Sequence, residues 1–212
     1  MDLFCDQYKI IDDVQDVFRK NGRTGDNMFI LNSLIRKVKY EKKTLYTCFI
    51  DFAKAFDSIW HRGLWYKLIK LGIAGNTLSC IRSMYENSTA QVKLGNGFSN
   101  VFQTGKGVLQ GNNFNPHLFN LFVNDLHERI RSRENSVALN STEFSCLLYV
   151  DDLVLLASNP KSLQHNINKL NNYCNECHLK VNLKRTKIVT FSNSGRKCKH
   201  LFQYDDSVIE NV

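Results

Sequence analysis

Two aspartates stand side by side in one of the most apolar stretches of the chain, Tyr149-Val150-Asp151-Asp152-Leu153-Val154. Adjacent carboxylates are a poor choice where the flanking residues favour burial, because an uncompensated buried charge is costly. Two readings account for them. Either they form a solvated turn, which aspartate favours, or a metal ion offsets their repulsion. A second apolar run, Cys48-Phe49-Ile50, also leads into an acid, Asp51, followed by Phe52. Two strand-end acids brought together in a sheet could share one site.

The elements that must carry these acids follow from periodicity. Met28, Leu31, Leu34, Ile35 and Val38 recur at helical spacing behind the capping candidates Thr24 and Asp26, which predicts an amphipathic helix over Thr24–Tyr40. Leu45–Phe52 alternates and is rich in β-branched and aromatic residues, as a strand is. Helices are predicted over Gly63–Leu71 and Thr77–Glu86. The Asn96-Gly97 pair between Gln91–Leu94 and Asn100–Thr104 signals a hairpin. Asn115-Pro116 should cap a helix running to about Arg131, with Leu118, Phe119, Phe122 and Leu126 as its buried face. Phe144–Val150 and Leu153–Ala157 read as a hairpin with Asp151-Asp152 at its tip. Asn159-Pro160 opens a helix to about Cys177, and Thr186–Phe191 is a last strand. The expected class is α+β, an antiparallel sheet backed by helices.

Composition narrows the classes that remain. With 212 residues, 43% hydrophobic and 23% charged, the chain is globular in type, and collagen-like, low-complexity and disordered classes are excluded. A net charge of +8 favours an anionic partner such as nucleic acid or an acidic membrane surface. The charge is polarised, with acids in the first sixteen residues and seven Lys/Arg without an acid from Leu179 to Tyr204. No apolar run reaches the roughly 20 residues of a membrane span, and Met1–Asp6 lacks a secretory pattern, so an intracellular protein is expected. The seven scattered cysteines suit reduced thiols. Cys174-Asn175-Glu176-Cys177-His178, with Cys198 and His200, can be written as a haem or zinc set, but its place late in an amphipathic helix favours packing.

Four segments together resemble the palm motifs of reverse transcriptases, most closely those of non-LTR (LINE-type) retrotransposons. They are Phe49-Ile50-Asp51-Phe52-Ala53-Lys54-Ala55-Phe56-Asp57; Gly107-Val108-Leu109-Gln110-Gly111 with Asn115-Pro116 through Leu126; Tyr149-Val150-Asp151-Asp152; and Asn182-Leu183-Lys184-Arg185-Thr186-Lys187. They occur in the family's order from about Gln15 to Phe191, and jointly they are far more specific than any one alone. The resemblance implies a right-hand polymerase palm with partial fingers and no thumb. It implies RNA-templated DNA synthesis from an RNA template, a DNA primer and dNTP, with two Mg²⁺ ions (or Mn²⁺) assisting an in-line displacement at phosphorus. By the same resemblance Asp51 and Asp151 are metal ligands, the Phe52 carbonyl is a further one, and Asp152 is their catalytic companion. Phe56 matches an aromatic gate against the ribose 2′-hydroxyl, its other reading being a core aromatic. Gln110 and Gly111 match the pair that meets the incoming nucleotide, and Lys187 falls in the last nucleotide-binding motif. Arg19, Lys20, Lys184 and Arg185 are candidates for nucleic-acid contact, each also readable as a solvated basic face. Asp57 reads best as a cap or surface ion-pair partner.

The sequence departs from the pattern at two places. Asn112-Asn113-Phe114-Asn115-Pro116 replaces a Ser-Pro-Leu-Ser-Pro type of run, and Asn caps a helix about as well as Ser. Arg185 stands where the family has lysine, and it lacks lysine's tunable pKa. The expected organisation is one partial domain: residues 1–44 from the fingers and connecting helix, 45–192 the palm and 193–212 a tail. Two functional readings stay open, an active polymerase core and a catalytically inactive fragment that only binds nucleic acid.

Overall fold

The computed structural model describes residues 24–86, 88–108, 115–193 and 198–212. Helix α1 (Thr24–Tyr40) leads into the central strand β1 (Leu45–Asp51). Short α2 (Ala55–Ser58), α3 (His61–Lys70) and α4 (Gly75–Glu86) follow, then the small strands β2 (Thr89–Ala90), β3 (Lys93–Leu94), β4 (Gly97–Phe98) and β5 (Phe102–Gln103). Next come α5 (Asn115–Val123), α6 (Leu126–Ile130), the hairpin β6 (Val137–Leu139) and β7 (Thr142–Phe144), β8 (Cys146–Tyr149), β9 (Asp152–Ala157) and α7 (Pro160–Cys177). The chain closes with β10 (Lys187–Phe191), β11 (Phe202–Tyr204) and β12 (Ser207–Asn211). Among the described residues no helix is long and apolar enough to cross a membrane.

The main sheet has the order β11-β12-β10-β1-β9-β8. Strand alternation divides its side chains between two cores. Cys48, Ile50, Leu153 and Leu155 face the helices and join Leu64, Leu68, Phe119, Phe122, Leu163 and Leu170 in the larger core. Leu45, Leu147 and Leu156 face the other way, where Leu34 and Val38 of α1 cover them. The sheet is thus closed on both faces at the Leu45 end. Its other end carries Asp51.

Several local features have plain causes. Asn159 caps α7 by accepting the Ser162 N–H at 2.9 Å, and His178 ends the same helix in the left-handed region at φ +55°. The expected continuous helix from Asn115 to Arg131 is broken at Asn124-Asp125, so α5 and α6 are separate. Lys67 holds the break: its ammonium donates to the Phe122 carbonyl and the Asp125 carboxylate, both at 2.6 Å, and to the Tyr173 hydroxyl at 2.7 Å. A carbonyl taken by a lysine no longer needs the helical N–H four residues on. The small hairpin turns on Gly95-Asn96, with Leu94 paired to Gly97 and Gly95 at φ +44°, one residue earlier than the Asn96-Gly97 reading.

Two expectations are corrected at the C-terminal side. The sheet is mixed, because β12 runs parallel to β10 through Lys187↔Glu210 and Ile188↔Asn211. Half of the segment expected to be a tail is a hairpin, Phe202–Asn211, with Phe202 opposite Ile209 and both buried in the larger core. A strand anchored by a single inward residue has no period to read. Truncating Phe202 to Ala should therefore cost about 3–5 kcal/mol, the range for a buried phenylalanine. Denaturant unfolding measures it, and an unchanged midpoint would mean that the hairpin is not part of the core.

Candidate active site

The carboxylates meet because of register. In the β1–β9 ladder Asp51 lies directly opposite Asp152, and in the β8–β9 ladder Tyr149 lies opposite Asp152. The hairpin tip is therefore Val150-Asp151, with Asp152 already the first residue of β9 rather than part of the turn. Directly paired residues hold their β-carbons about 4.5–5.5 Å apart, and like charges in that relation repel. Val150 sits at φ +54°, a left-handed conformation that a β-branched residue adopts only under constraint. The turn that presents Asp151 is thus strained.

Electrostatics reflect the crowding. Burial first, then the charges of Asp151 and Asp51, raise the Asp152 carboxyl above the ordinary aspartate value, and Arg185 partly counters them. The Arg185 guanidinium approaches Asp51 Oδ1 at 3.4 Å, while Asn182 Nδ2 donates to Asp51 Oδ2 at 3.0 Å. The Asn182 N–H also donates to the Asp51 carbonyl at 2.8 Å, and the Ala53 N–H donates to the Lys180 carbonyl at 2.7 Å. These two bonds flank the Phe52↔Val181 bridge, so antiparallel alternation turns the Phe52 carbonyl away from Val181, towards the carboxylate side. Asp51 and Asp152 open onto a groove of about 470 Å³ that runs under α1 past Met28, Leu31, Phe49 and Tyr149.

The donor set suits a divalent ion of the magnesium type: carboxylates from Asp51, Asp151 and Asp152 and one backbone carbonyl, all hard oxygens at one sheet end. Among the described residues no three His, Cys, Asp or Glu side chains close into a cage by themselves. Mg²⁺ ordinarily takes only one or two carboxylates and completes its octahedron with waters and substrate phosphates.

Other sequence candidates fall around this centre. Phe56, on α2 just after Lys54 at φ +52°, is partly buried with its ring 5.1 Å from that of Phe119. Asp57 is exposed on the same short helix. Lys184 and Arg185 are exposed on the turn beside Asp51. Lys187 is held by Glu210 and by the Lys184 carbonyl, so Arg185 is the base that reaches the carboxylates. Arg19, Lys20, Gln110 and Gly111 lie outside the described residues. Cys174 and Cys177 are buried in the core, and burial pushes the Cys174 thiol up to about 12, a poor state for a metal ligand that must be a thiolate. Cys198, half-buried, accepts the His200 N–H at 3.4 Å.

Two residues escaped the sequence reading. Asn182 was visible only as part of a motif, yet it grips Asp51 by both its backbone and its amide. Gly107 holds φ +91°, and a β-carbon there would lie 3.0 Å from the Asp57 carbonyl oxygen. Its glycine identity, unforced by any local pattern, was the available signal.

A sheet carrying three carboxylates at one end, backed by helices and crossed by α1, defines a right-hand polymerase palm. Solved structures share this fold. Apo telomerase from Candida tropicalis, truncated from its C-terminal domain, superposes with a TM-score of 0.59 at 17% identity, over 92% of this chain and 40% of that one. Telomerase from Candida albicans in complex with a TWJ fragment of telomeric RNA gives 0.64 at 14% identity, over 88% and 34%. The sequence profile of the reverse transcriptase (RNA-dependent DNA polymerase) family matches residues 3–204, and the chain belongs to that family. Among its relatives are the Pol polyprotein of a type-1 R2 retrotransposable element from Nasonia vitripennis, 24% identical over 91% of this chain, and the RNA-directed DNA polymerase of the mobile element jockey from Drosophila funebris, 26% identical over 85%. The chain spans only 19% and 20% of these relatives' lengths.

Replacing Gly107 by Ala should cost about 1–3 kcal/mol, because the new residue is strained in φ and meets the Asp57 backbone. Denaturant unfolding reads the loss, and a neutral result would mean that this contact is loose.

Proposed function

We propose that this chain is the catalytic core of an RNA-directed DNA polymerase of a retrotransposon, extending a DNA primer on an RNA template from dNTP. The observation that carries the proposal is the Asp51↔Asp152 register, with Asp151 one residue away at the hairpin tip. Two Mg²⁺ ions, or Mn²⁺, held by Asp51, Asp151 and the Phe52 carbonyl, would stabilise the attacking and leaving oxygens of an in-line phosphoryl transfer. The protein's own part is chiefly positioning and charge, since the transferred phosphoryl demands little covalent chemistry from it.

Asn182 holds the Asp51 carboxylate, and the strained turn at Val150 would present that of Asp151. Asp152 adds negative charge that favours cation binding. Arg185, paired with Asp51, is free on its exposed side to meet a phosphate. Phe56, wedged on Phe119, stands close to Asp51 in the chain, where a sugar 2′-hydroxyl would be crowded. Gln110 and Gly111 would meet the nucleotide, and Lys187 would support the turn that carries Arg185. Lys184, Arg185 and, further upstream, Arg19 and Lys20 would follow the duplex backbone. An A-form hybrid is recognised largely through shape and phosphates, and such binding should weaken steeply with salt.

Primer extension on an RNA template with Mg²⁺ tests the reading. Asp51→Asn and Asp151→Asn should each abolish incorporation, and retained incorporation in either would contradict the assignment. Salt-sensitive binding of template and primer without incorporation by the unaltered chain would favour the binding-only reading. In an active chain, Phe56→Val should admit ribonucleotides, read by extension with rNTP in place of dNTP. Unchanged discrimination would leave Phe56 a core aromatic.

A further inference from the structure

Helix α1 stands on the same face of the sheet as the carboxylates. Leu45, Phe49 and Asp51 alternate onto one side of β1. On that side Leu34 and Val38 of α1 cover Leu45, while Met28 and Leu31 border the groove that opens at Asp51 and Asp152. The helix therefore begins beside the carboxylates and runs from them towards the far end of the sheet. Residues two positions beyond a buried one lie about 200° further round a helix. Arg36 and Tyr40 stand in that relation to Leu34 and Val38, and both are exposed.

The composition of that outer face calls for a partner. Phe29 is 71% exposed and Tyr40 90%, and the two rings share one side of the helix, about three turns or 16 Å apart along its axis. Arg36 lies between them on the same side, and Lys39 and Lys42 follow at the helix end, all three exposed. Glu41 is taken up by Lys43 at 2.8 Å and Lys37 at 3.9 Å, and among the described residues no carboxylate pairs with Arg36, Lys39 or Lys42. Bare aromatic faces interleaved with unpaired cations fit a single strand of nucleic acid, whose bases stack on the rings while its phosphates meet the cations. A duplex would not serve, because its base faces are already stacked on one another.

We propose that the outer face of α1, through Phe29, Arg36 and Tyr40, binds unpaired RNA, the stretch of template not yet copied. The choice of RNA rests on the polymerase reading above, in which the unpaired strand near the carboxylates is the template ahead of the primer. The stacking surface itself does not depend on that reading. Each ring would carry a base, and Arg36 would meet a phosphate between them. None of the three belongs to either core, so each can be truncated with the fold intact.

Fluorescence anisotropy on the full chain, with an RNA–DNA hybrid either blunt or carrying a 5′ RNA overhang, tests this face. The overhang should tighten binding by the unaltered chain about 25-fold or more, and Phe29→Ala or Tyr40→Ala should each remove about fivefold of that gain, the loss of one stacking partner. Tyr40→Trp should keep it. Arg36→Ala should flatten the dependence of log Kd on log salt by about 0.7, the share of one single-strand phosphate. Blunt-hybrid binding should be unchanged in all of these. Tyr66→Ala removes an exposed ring from α3, whose Leu64 and Leu68 pack in the core on the other side of the sheet, and should alter nothing. An overhang advantage that survives Phe29→Ala and Tyr40→Ala overturns the proposal, as does its absence from the unaltered chain. Loss of affinity for vesicles of anionic phospholipid in those variants, with overhang binding untouched, would assign the face to a membrane surface instead. If the unaltered chain binds the overhang through these residues but incorporates no nucleotide, the polymerase reading fails and the RNA-binding face stands.

Discussion

Mutual repulsion among Asp51, Asp151 and Asp152 is the constraint around which the rest of the molecule is arranged. Three carboxylates at neighbouring strand ends repel one another, and the Asp152 carboxyl is raised by burial first and then by the charges of Asp151 and Asp51. They stay together because everything around them is over-determined. β1 is paired on both sides along most of its length, its end is clasped by Asn182, and both sheet faces are packed. A fold held so firmly can keep an unfavourable charge arrangement in place for a cation to neutralise.

The surrounding structure follows the same logic at increasing distance. Lys67 ties α3 to the α5–α6 break and to α7, so the helical layer behind the sheet is cross-linked by a nearly buried ammonium with three oxygen partners and two aromatic faces, those of Phe122 and Tyr173. Gly107 lets the chain pass against the Asp57 backbone, and Val108 bonds to the Phe56 carbonyl, both on the short helix α2 that follows Asp51. Among the described residues, left-handed backbone at non-glycine positions falls at a few places, of which Val150 adjoins Asp151 and Lys54 lies between Asp51 and Phe56. Backbone strain at an active site is a common companion of pre-organisation.

Much of this was legible in the residues themselves. Helix α1 was readable to its ends because its apolar positions recur at 3.6-residue spacing, and α7 because Asn159-Pro160 is both cap and first turn. The acids were legible because a carboxylate in an apolar strand demands a reason. The remainder depended on partners remote in sequence. The α5–α6 break is set by Lys67, far upstream, and no pattern within Asn115–Arg131 announces it. β11 and β12 each bury one residue, Phe202 and Ile209, too little for alternation to show. Asn182 and His61 are ordinary polar residues until the fold sets one against Asp51 and the other against Gly107.

The central claim is that Asp51 and Asp151 hold divalent ions together at this sheet end. The most direct measurement is anomalous scattering from crystals of the chain grown with Mn²⁺, template–primer and a non-reactive dNTP analogue. Density peaks within coordinating distance of both Asp51 and Asp151, with the Phe52 carbonyl beside one of them, are the predicted result. Mn²⁺ bound elsewhere, with Asp51 still paired to Arg185 and out of reach of any ion, would contradict it.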